Sequence, residues 1–143
     1  MIDPHVRPAT ASDAPALAAL EAEARSTLVD QRGGPRWLDE HPERAWAAPD
    51  ANVFVAHVDD VVVGYVVCRI DGALARIVDV YVTPEARELG FGDELLGAAT
   101  DAARSAGATT LEGEALPGDR DMKNLYERAG IKARLIIVST PLT

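Results

Sequence analysis

The chain has 143 residues, with 23 acidic against 14 basic side chains and a formal charge of −9. A domain of that length hides about 70% of its unfolded surface, so one domain over residues 1–143 is expected. The acidity argues against nucleic-acid and membrane-surface binding, both of which need basic patches, and reads as a solvated acidic surface compatible with a cationic partner.

The opening "VRPATASDAPALAALEAEARSTL" predicts a short strand at Val6 and then a helix. Thr10 or Ser12 can cap that helix, Pro15 fits only its first turn, and Leu17, Leu20, Ala24 and Leu28 fall on one face. From Gln31 to Asp50 the pattern predicts a loop and a short helix around Trp37 to Trp46. "NVFVAHV" and "VVVGYVVCRI" then flank Asp59-Asp60, and "ALARIVDVYV" follows Asp71-Gly72. Such turn pairs between β-branched runs predict a three-stranded antiparallel meander, ending near Val82.

After Gly90, Leu95, Leu96, Ala99, Ala102, Ala103 and Ala106 recur at helical spacing until Gly107. A strand "TTLEGEA" is expected next. A helix from near Asp119 follows, packing Met122, Leu125 and Ala129 and stopping at Gly130, and then a last strand, "IKARLIIVS". Early hairpins and a late βαβ crossover make this an α/β domain with a mixed sheet flanked by helices.

The chemistry is concentrated in "VDVYVTPEARELGFGDELLGAAT", Val78 to Thr100. A strand feeding a glycine turn and a helix N-terminus presents unpaired N–H groups and the positive end of the helix dipole, which is an anion site. A P-loop requires Gly-Lys-Ser/Thr, which does not follow here. A Rossmann fingerprint requires a third glycine where Leu95 stands, and a parallel strand where the meander stands. What remains is Arg87-Glu88-Leu89-Gly90-Phe91-Gly92 behind Val82-Thr83-Pro84.

This segment resembles the acetyl-CoA-binding motif of the GNAT-type N-acetyltransferase superfamily. "VRPATASDAPAL" is similar to that family's opening strand and helix, and "DRDMKNLYERAGIKAR" to its late helix motif, so the resemblance spans nearly the whole chain. It implies an acetyl-CoA-dependent N-acetyltransferase acting on a primary amine of a small molecule or a peptide. The alternative is a non-catalytic acyl-CoA-binding or protein-interaction module that keeps the fold. The resemblance further implies that the amides from Glu88 to Gly92 cradle the CoA pyrophosphate, with Arg87 alongside. Val80, Tyr81 and Val82 would then offer main-chain hydrogen bonds to the pantetheine arm. Tyr126 stands where the family often places its general acid, although a core aromatic is equally compatible with its helix. Asp119 stands where many relatives have Asn beside the cofactor, and a helix N-cap explains it as well.

Acetyl transfer needs a neutral amine, a polarised thioester and a proton for the leaving thiolate. An ordinary amine with pKa near 10.4 is protonated at pH 7, so a base or a water relay must take a proton. Glu114 is the first candidate, at a position where some ribosomal-protein acetyltransferases carry a glutamate. Asp79 is the second: with Val78 and Val80 expected on the opposite face, it needs a partner or water on its own side. Glu112 shares Glu114's face if the strand is regular. A surface role accounts for all three, and transfer through ordered water needs no dedicated base. The resemblance implies a splayed strand here, whose freed main-chain N–H near Val80 would stabilise the oxyanion.

Other constellations carry less. His5, His41 and His57 lack metal-ligand spacing, so no metal is expected, and no Gly-x-Ser-x-Gly elbow exists. The single cysteine, Cys68, excludes an internal disulfide framework and reads as a buried small hydrophobe. With no apolar leader in "MIDPHVRPAT", a cytosolic protein is expected. Trp37 and Trp46 fall in the region that covers the acceptor cleft in GNAT-type proteins, where core or lid packing is expected of them.

Two departures from the family pattern stand out. Glu88 and Leu89 replace the usual glycine and basic residue, and Asp93 and Glu94 follow Gly92 in the first helical turn. Carboxylates there suit the helix dipole but repel a diphosphate by about 1 kcal/mol per exposed neighbour. Many relatives also end in a two-stranded hairpin, whereas one strand is evident after Gly130. Its partner strand is therefore missing or comes from another subunit, which makes a homodimer near Ile131 to Ser139 an expectation.

Overall fold

The alternating β-branched runs form the centre of the molecule, as their spacing requires. In the computed structural model, which describes residues 5–142, five strands line up in the order β1-β2-β3-β4-β5. They span His5–Pro8 (β1), Asn52–Val58 (β2), Val61–Asp71 (β3), Leu74–Val82 (β4) and Thr110–Gly113 (β5). β1 to β4 pair antiparallel, while β5 lies parallel to β4. That last relation obliges a crossover, supplied by helix α3, Phe91–Ser105. The mixed α/β sheet expected from the turn chemistry is the one observed.

Apolar faces decide where the helices sit. Helix α1, Ala14–Leu28, buries Leu17, Leu20 and Ala24. Leu17 and Leu20 pack with Trp46, Val53, Val55, Tyr65 and Val67 on one side of the sheet. On the other side, α3 packs Leu95, Leu96 and Ala99 against Val66, Cys68, Ala75, Ile77 and Val80. Helix α4, Arg120–Arg128, joins this second layer through Leu125 and Tyr126. Cys68 is fully buried there, as its sequence surroundings imply. Ahead of α1, Asp13 takes the Thr10 N–H at 2.8 Å and both Arg7 terminal nitrogens at 2.7 and 2.8 Å.

Three expectations need correction. The short helix is α2, Gly34–Glu40, and does not reach Trp46. Pro42 stops it, because a residue before proline is pushed out of the helical region, and His41 sits at φ −127°, ψ 85°. Trp46 is instead a core residue beside Tyr65, with ring centroids 5.1 Å apart.

The second correction concerns "IKARLIIVS", which forms no strand. A strand exists only where another strand receives its hydrogen bonds, and none of the described strands pairs with this segment. Leu135, Ile136, Ile137 and Val138 are consequently left 65% to 88% exposed.

The third lies in β4. Val67 pairs with Asp79 but Cys68 pairs with Ile77, so Val78 is an extra, bulged residue. The bulge reverses the inside-outside alternation: Val78 joins the α1-side cluster and Val80 the α3-side cluster. Val78 and Val80 therefore do not share a face, as a regular strand would require.

A candidate active site where two parallel strands part

β4 and β5 keep their ladder only from Leu74↔Thr110 to Ile77↔Gly113. The bulge at Val78 follows at once, and the two chains diverge. A cleft of about 790 Å³ opens between them, walled by Val78 to Val82 on one side and Glu114 to Leu116 on the other. Thr83 donates to Val63 on the β3 side at 2.8 Å. By antiparallel alternation, the main-chain groups of Val80 and Val82 point away from β3 and into the gap. Tyr81's main chain faces β3, and its side chain packs against the α1-side cluster.

The glycine turn closes one end of this cleft. Gly90 caps α3 at φ 91°, and Glu88 also has positive φ, 65°. This pair bends the chain so that the first helical turn faces the cleft. Its earliest helical hydrogen bond runs from Glu94 N to Gly90 O at 3.1 Å. The amides before Glu94 have no partner within the helix and remain available to an anion. Glu88, Gly90, Phe91 and Gly92 line the cleft, while Leu89 is half exposed and does not line it.

The charged groups nearby are partly committed. Arg87 Nε donates to Val82 O at 2.9 Å, and its guanidinium lies 5.6 Å from the Tyr81 ring centroid. Its two terminal nitrogens have no protein acceptor among the described residues. Asp93 is drawn to Arg128 at 3.1 Å. Asp119 caps α4 by accepting the Met122 N–H at 3.1 Å. Asp93, one of the carboxylates that would oppose a diphosphate, is thus held by its own partner.

Tyr126 reaches the cleft from α4. Its hydroxyl donates to Glu114 O at 3.2 Å. Burial raises its pKa well above the ordinary phenol value, and the negative charges of Asp79, Glu114 and Asp119 add to the rise. The hydroxyl therefore stays protonated at neutral pH. The ring fits only because position 113 has no side chain: a Cβ there would lie 2.5 Å from Tyr126 Cζ and Oη. Gly113 was not singled out from the sequence, where it appears as an ordinary strand glycine.

The two carboxylate candidates differ in surroundings. Glu114 is exposed on the cleft wall. Glu112 lies outside the cleft, paired with Arg134 at 3.0 Å and Arg76 at 3.6 Å. Asp79 lines the cleft with only 18% of its side chain exposed. Its Oδ2 accepts from Tyr65 Oη at 2.9 Å and from Arg44 at 3.2 Å. Burial raises its pKa above the usual carboxylate value, and Arg44 and Tyr65 hold the rise in check. Trp37 lines the same cleft from α2, stacked on His41 with centroids 4.2 Å apart. Among the described residues, no three His, Cys, Asp or Glu side chains converge as a metal site would require.

The model of the acetyltransferase (GNAT) family matches residues 16–131 of this chain. No curated protein matches it. Among solved structures, the chain is similar to a ribosomal-protein-alanine N-acetyltransferase from Brucella melitensis biovar Abortus 2308, with TM-score 0.71 and 19% identity over 99% of each chain. It is also similar to the aminoglycoside N-acetyltransferase AAC(6')-Iy in complex with CoA, with TM-score 0.70 and 15% identity over 96% of this chain and 100% of that one. A putative acetyltransferase from Agrobacterium tumefaciens str. C58 gives TM-score 0.74 and 20% identity over 96% and 99%. At such identities these likenesses speak for the fold.

Proposed function

Because the chain belongs to the acetyltransferase (GNAT) family, we propose that it moves the acetyl group of acetyl-CoA onto a primary amine of a small molecule or a peptide. The observation that carries this reading is the parting of β4 from β5 directly above a helix N-terminus whose amides are free. An anion grip and a strand edge lie on one continuous wall there. That donor set fits a diphosphate with an extended tail: the amides from Glu88 to Gly92 and Arg87 for the diphosphate, Val80 and Val82 for the tail, with Tyr81 beneath Arg87. When bound, acetyl-CoA supplies the activated acyl carbon and a thiolate leaving group.

In this reading the chain's own groups move two protons. The Tyr126 hydroxyl, kept neutral by burial, gives its proton to the departing sulfur and is reprotonated by the second proton that the nitrogen sheds as the amide forms. Asp79 takes the proton of the incoming amine directly or through one water, using Oδ1, which has no protein partner among the described residues. Its raised pKa brings it closer to the working pH of a base. Glu114 is the alternative acceptor. The Val80 N–H, directed into the gap, would donate to the carbonyl oxygen as that oxygen gains charge.

Supporting the wider reading, the single cysteine is buried and unpaired, in keeping with a cytosolic location. The exposed Leu135–Val138 run supports a homodimer formed near Ile131–Ser139.

The test is calorimetry with acetyl-CoA followed by thiol-release assays across a panel of amines. Binding with turnover on at least one amine is expected. Binding without turnover on any of them would identify a non-catalytic acyl-CoA-binding module. Absence of binding would overturn the reading altogether.

A further inference from the structure

The segment after α2 had no assigned chemistry in the sequence, yet it delivers a guanidinium to Asp79, which lines the cleft. Arg44 is only 16% exposed. It is held by Glu21 of α1 twice over, from its main-chain N to Oε1 at 2.9 Å and from its guanidinium to Oε2 at 2.6 Å. Glu21 Oε1 also receives the Trp46 indole N–H at 3.3 Å. The same guanidinium nitrogen that meets Glu21 reaches Asp79 Oδ2 at 3.2 Å, where the Tyr65 hydroxyl also donates at 2.9 Å.

Two nearly buried carboxylates and one guanidinium are a costly arrangement, since burial penalises each charge unless it is paired. Packing alone would be served as well by apolar residues. What the arrangement does achieve is asymmetric: Oδ2 of Asp79 is fixed by two donors, while Oδ1 has no protein partner among the described residues, and Asp79 lines the cleft.

We propose that Arg44, clamped by Glu21 and assisted by Tyr65, is a positioning residue that keeps Asp79 ionised and its Oδ1 aimed at the incoming amine. The inference rests on the acetyltransferase reading for its functional half, but its electrostatic half concerns this chain alone. The groups acting on Asp79 are Glu21 from α1, Arg44 from the loop after α2 and Tyr65 from β3, with Tyr126 of α4 also under its charge, and Glu114 lines the same cleft. Of these, Arg44 and the Tyr65 hydroxyl favour the carboxylate, while Glu21 opposes it. Deleting Arg44 therefore leaves two like charges facing each other in a partly dry site.

The test follows the Asp79 carboxyl by carbon-13 NMR titration in the wild type and in Arg44→Gln, Arg44→Lys and Tyr65→Phe. No acceptor is needed. In Arg44→Gln the Asp79 midpoint should rise by about one unit or more, and Arg44→Lys should restore most of it. Tyr65→Phe keeps the ring in its fully buried place and should give a smaller rise, so a folding failure of the Gln variant does not remove the test. With an active acceptor, the acid limb of the kcat/KM profile should move upward with the NMR midpoint. A merely structural role would lower stability and leave both where they were. Midpoints unchanged in the folded variants would overturn the proposal. A moved midpoint with no acetyl transfer on any amine would instead refute the acetyltransferase reading and leave the electrostatic clamp standing.

Discussion

Gly113 and Tyr126 share one space: the side chain that position 113 lacks is where the phenol ring of Tyr126 stands. A Cβ on Gly113 would sit 2.5 Å from that ring and its hydroxyl. Gly113 is also the last residue of β5 paired to β4, so the end of the ladder and the seat of the proposed acid are set by one position. Gly113→Ala must push the ring away, because the opposing atoms belong to a packed aromatic and not to a flexible tip. Overpacking of this kind costs about 1–3 kcal/mol. Thermal melts should show that loss, and turnover should fall while acetyl-CoA affinity, measured by calorimetry, holds.

Removing only the hydroxyl separates chemistry from packing. Tyr126→Phe keeps the ring against Gly113 and loses the bond to Glu114 O. Turnover should drop about 100-fold or more with affinity spared, as for loss of a general acid. Because burial raises this phenol's pKa, its ionisation should not produce a basic limb below pH 10 in the wild-type profile. Equal losses of turnover and affinity would refute the acid assignment.

A second pH effect belongs to stability alone. Hydrogen bonds from Arg7 lower the Asp13 carboxyl from 3.8 to about 2, against the opposing effect of burial and with help from the Thr10 N–H. A lowered folded-state pKa stabilises the fold above the unfolded value and loses that contribution as pH falls through the folded one. The window is therefore pH 4 down to 2, and the contribution above it is about 2 kcal/mol. Asp13→Asn should remove it at neutral pH and flatten the acid side of the stability curve, as read by denaturant titration.

The exposed apolar run at 135–138 gives a fourth expectation. Both this segment and the outer edge of β5 lack a strand partner among the described residues, so two copies can satisfy each other's edges. Sedimentation at micromolar concentration should show a dimer, and Ile137→Lys should shift it to monomer. A monomeric wild type removes the homodimer.

How much of this could be read in the sequence depended on whether the signal was local. The Asp59-Asp60 and Asp71-Gly72 turns sit beside the strands they join, so the meander was legible. The glycines at 90 and 92 stand next to the strand and helix they connect, so the strand–turn–helix junction was legible too. The β4 bulge was not: Val78 looks like its neighbours, and its displacement comes from the pairing with β3. Arg44 meets Glu21 and Asp79 across 23 and 35 residues of sequence, and no spacing rule reaches that far. "IKARLIIVS" misled because its alternation is right for a strand while none of the described strands pairs with it.

In the proposed function, main-chain donors at the bend before α3 grip the diphosphate of CoA. Gly90→Glu adds bulk and charge at a residue whose φ of 91° suits glycine, in the middle of that grip and away from Tyr126 and Asp79. Calorimetric titration of acetyl-CoA into wild type and variant tests it most directly. Saturable one-to-one binding by the wild type and none by a folded Gly90→Glu is the predicted result, and equal binding by both would contradict the account.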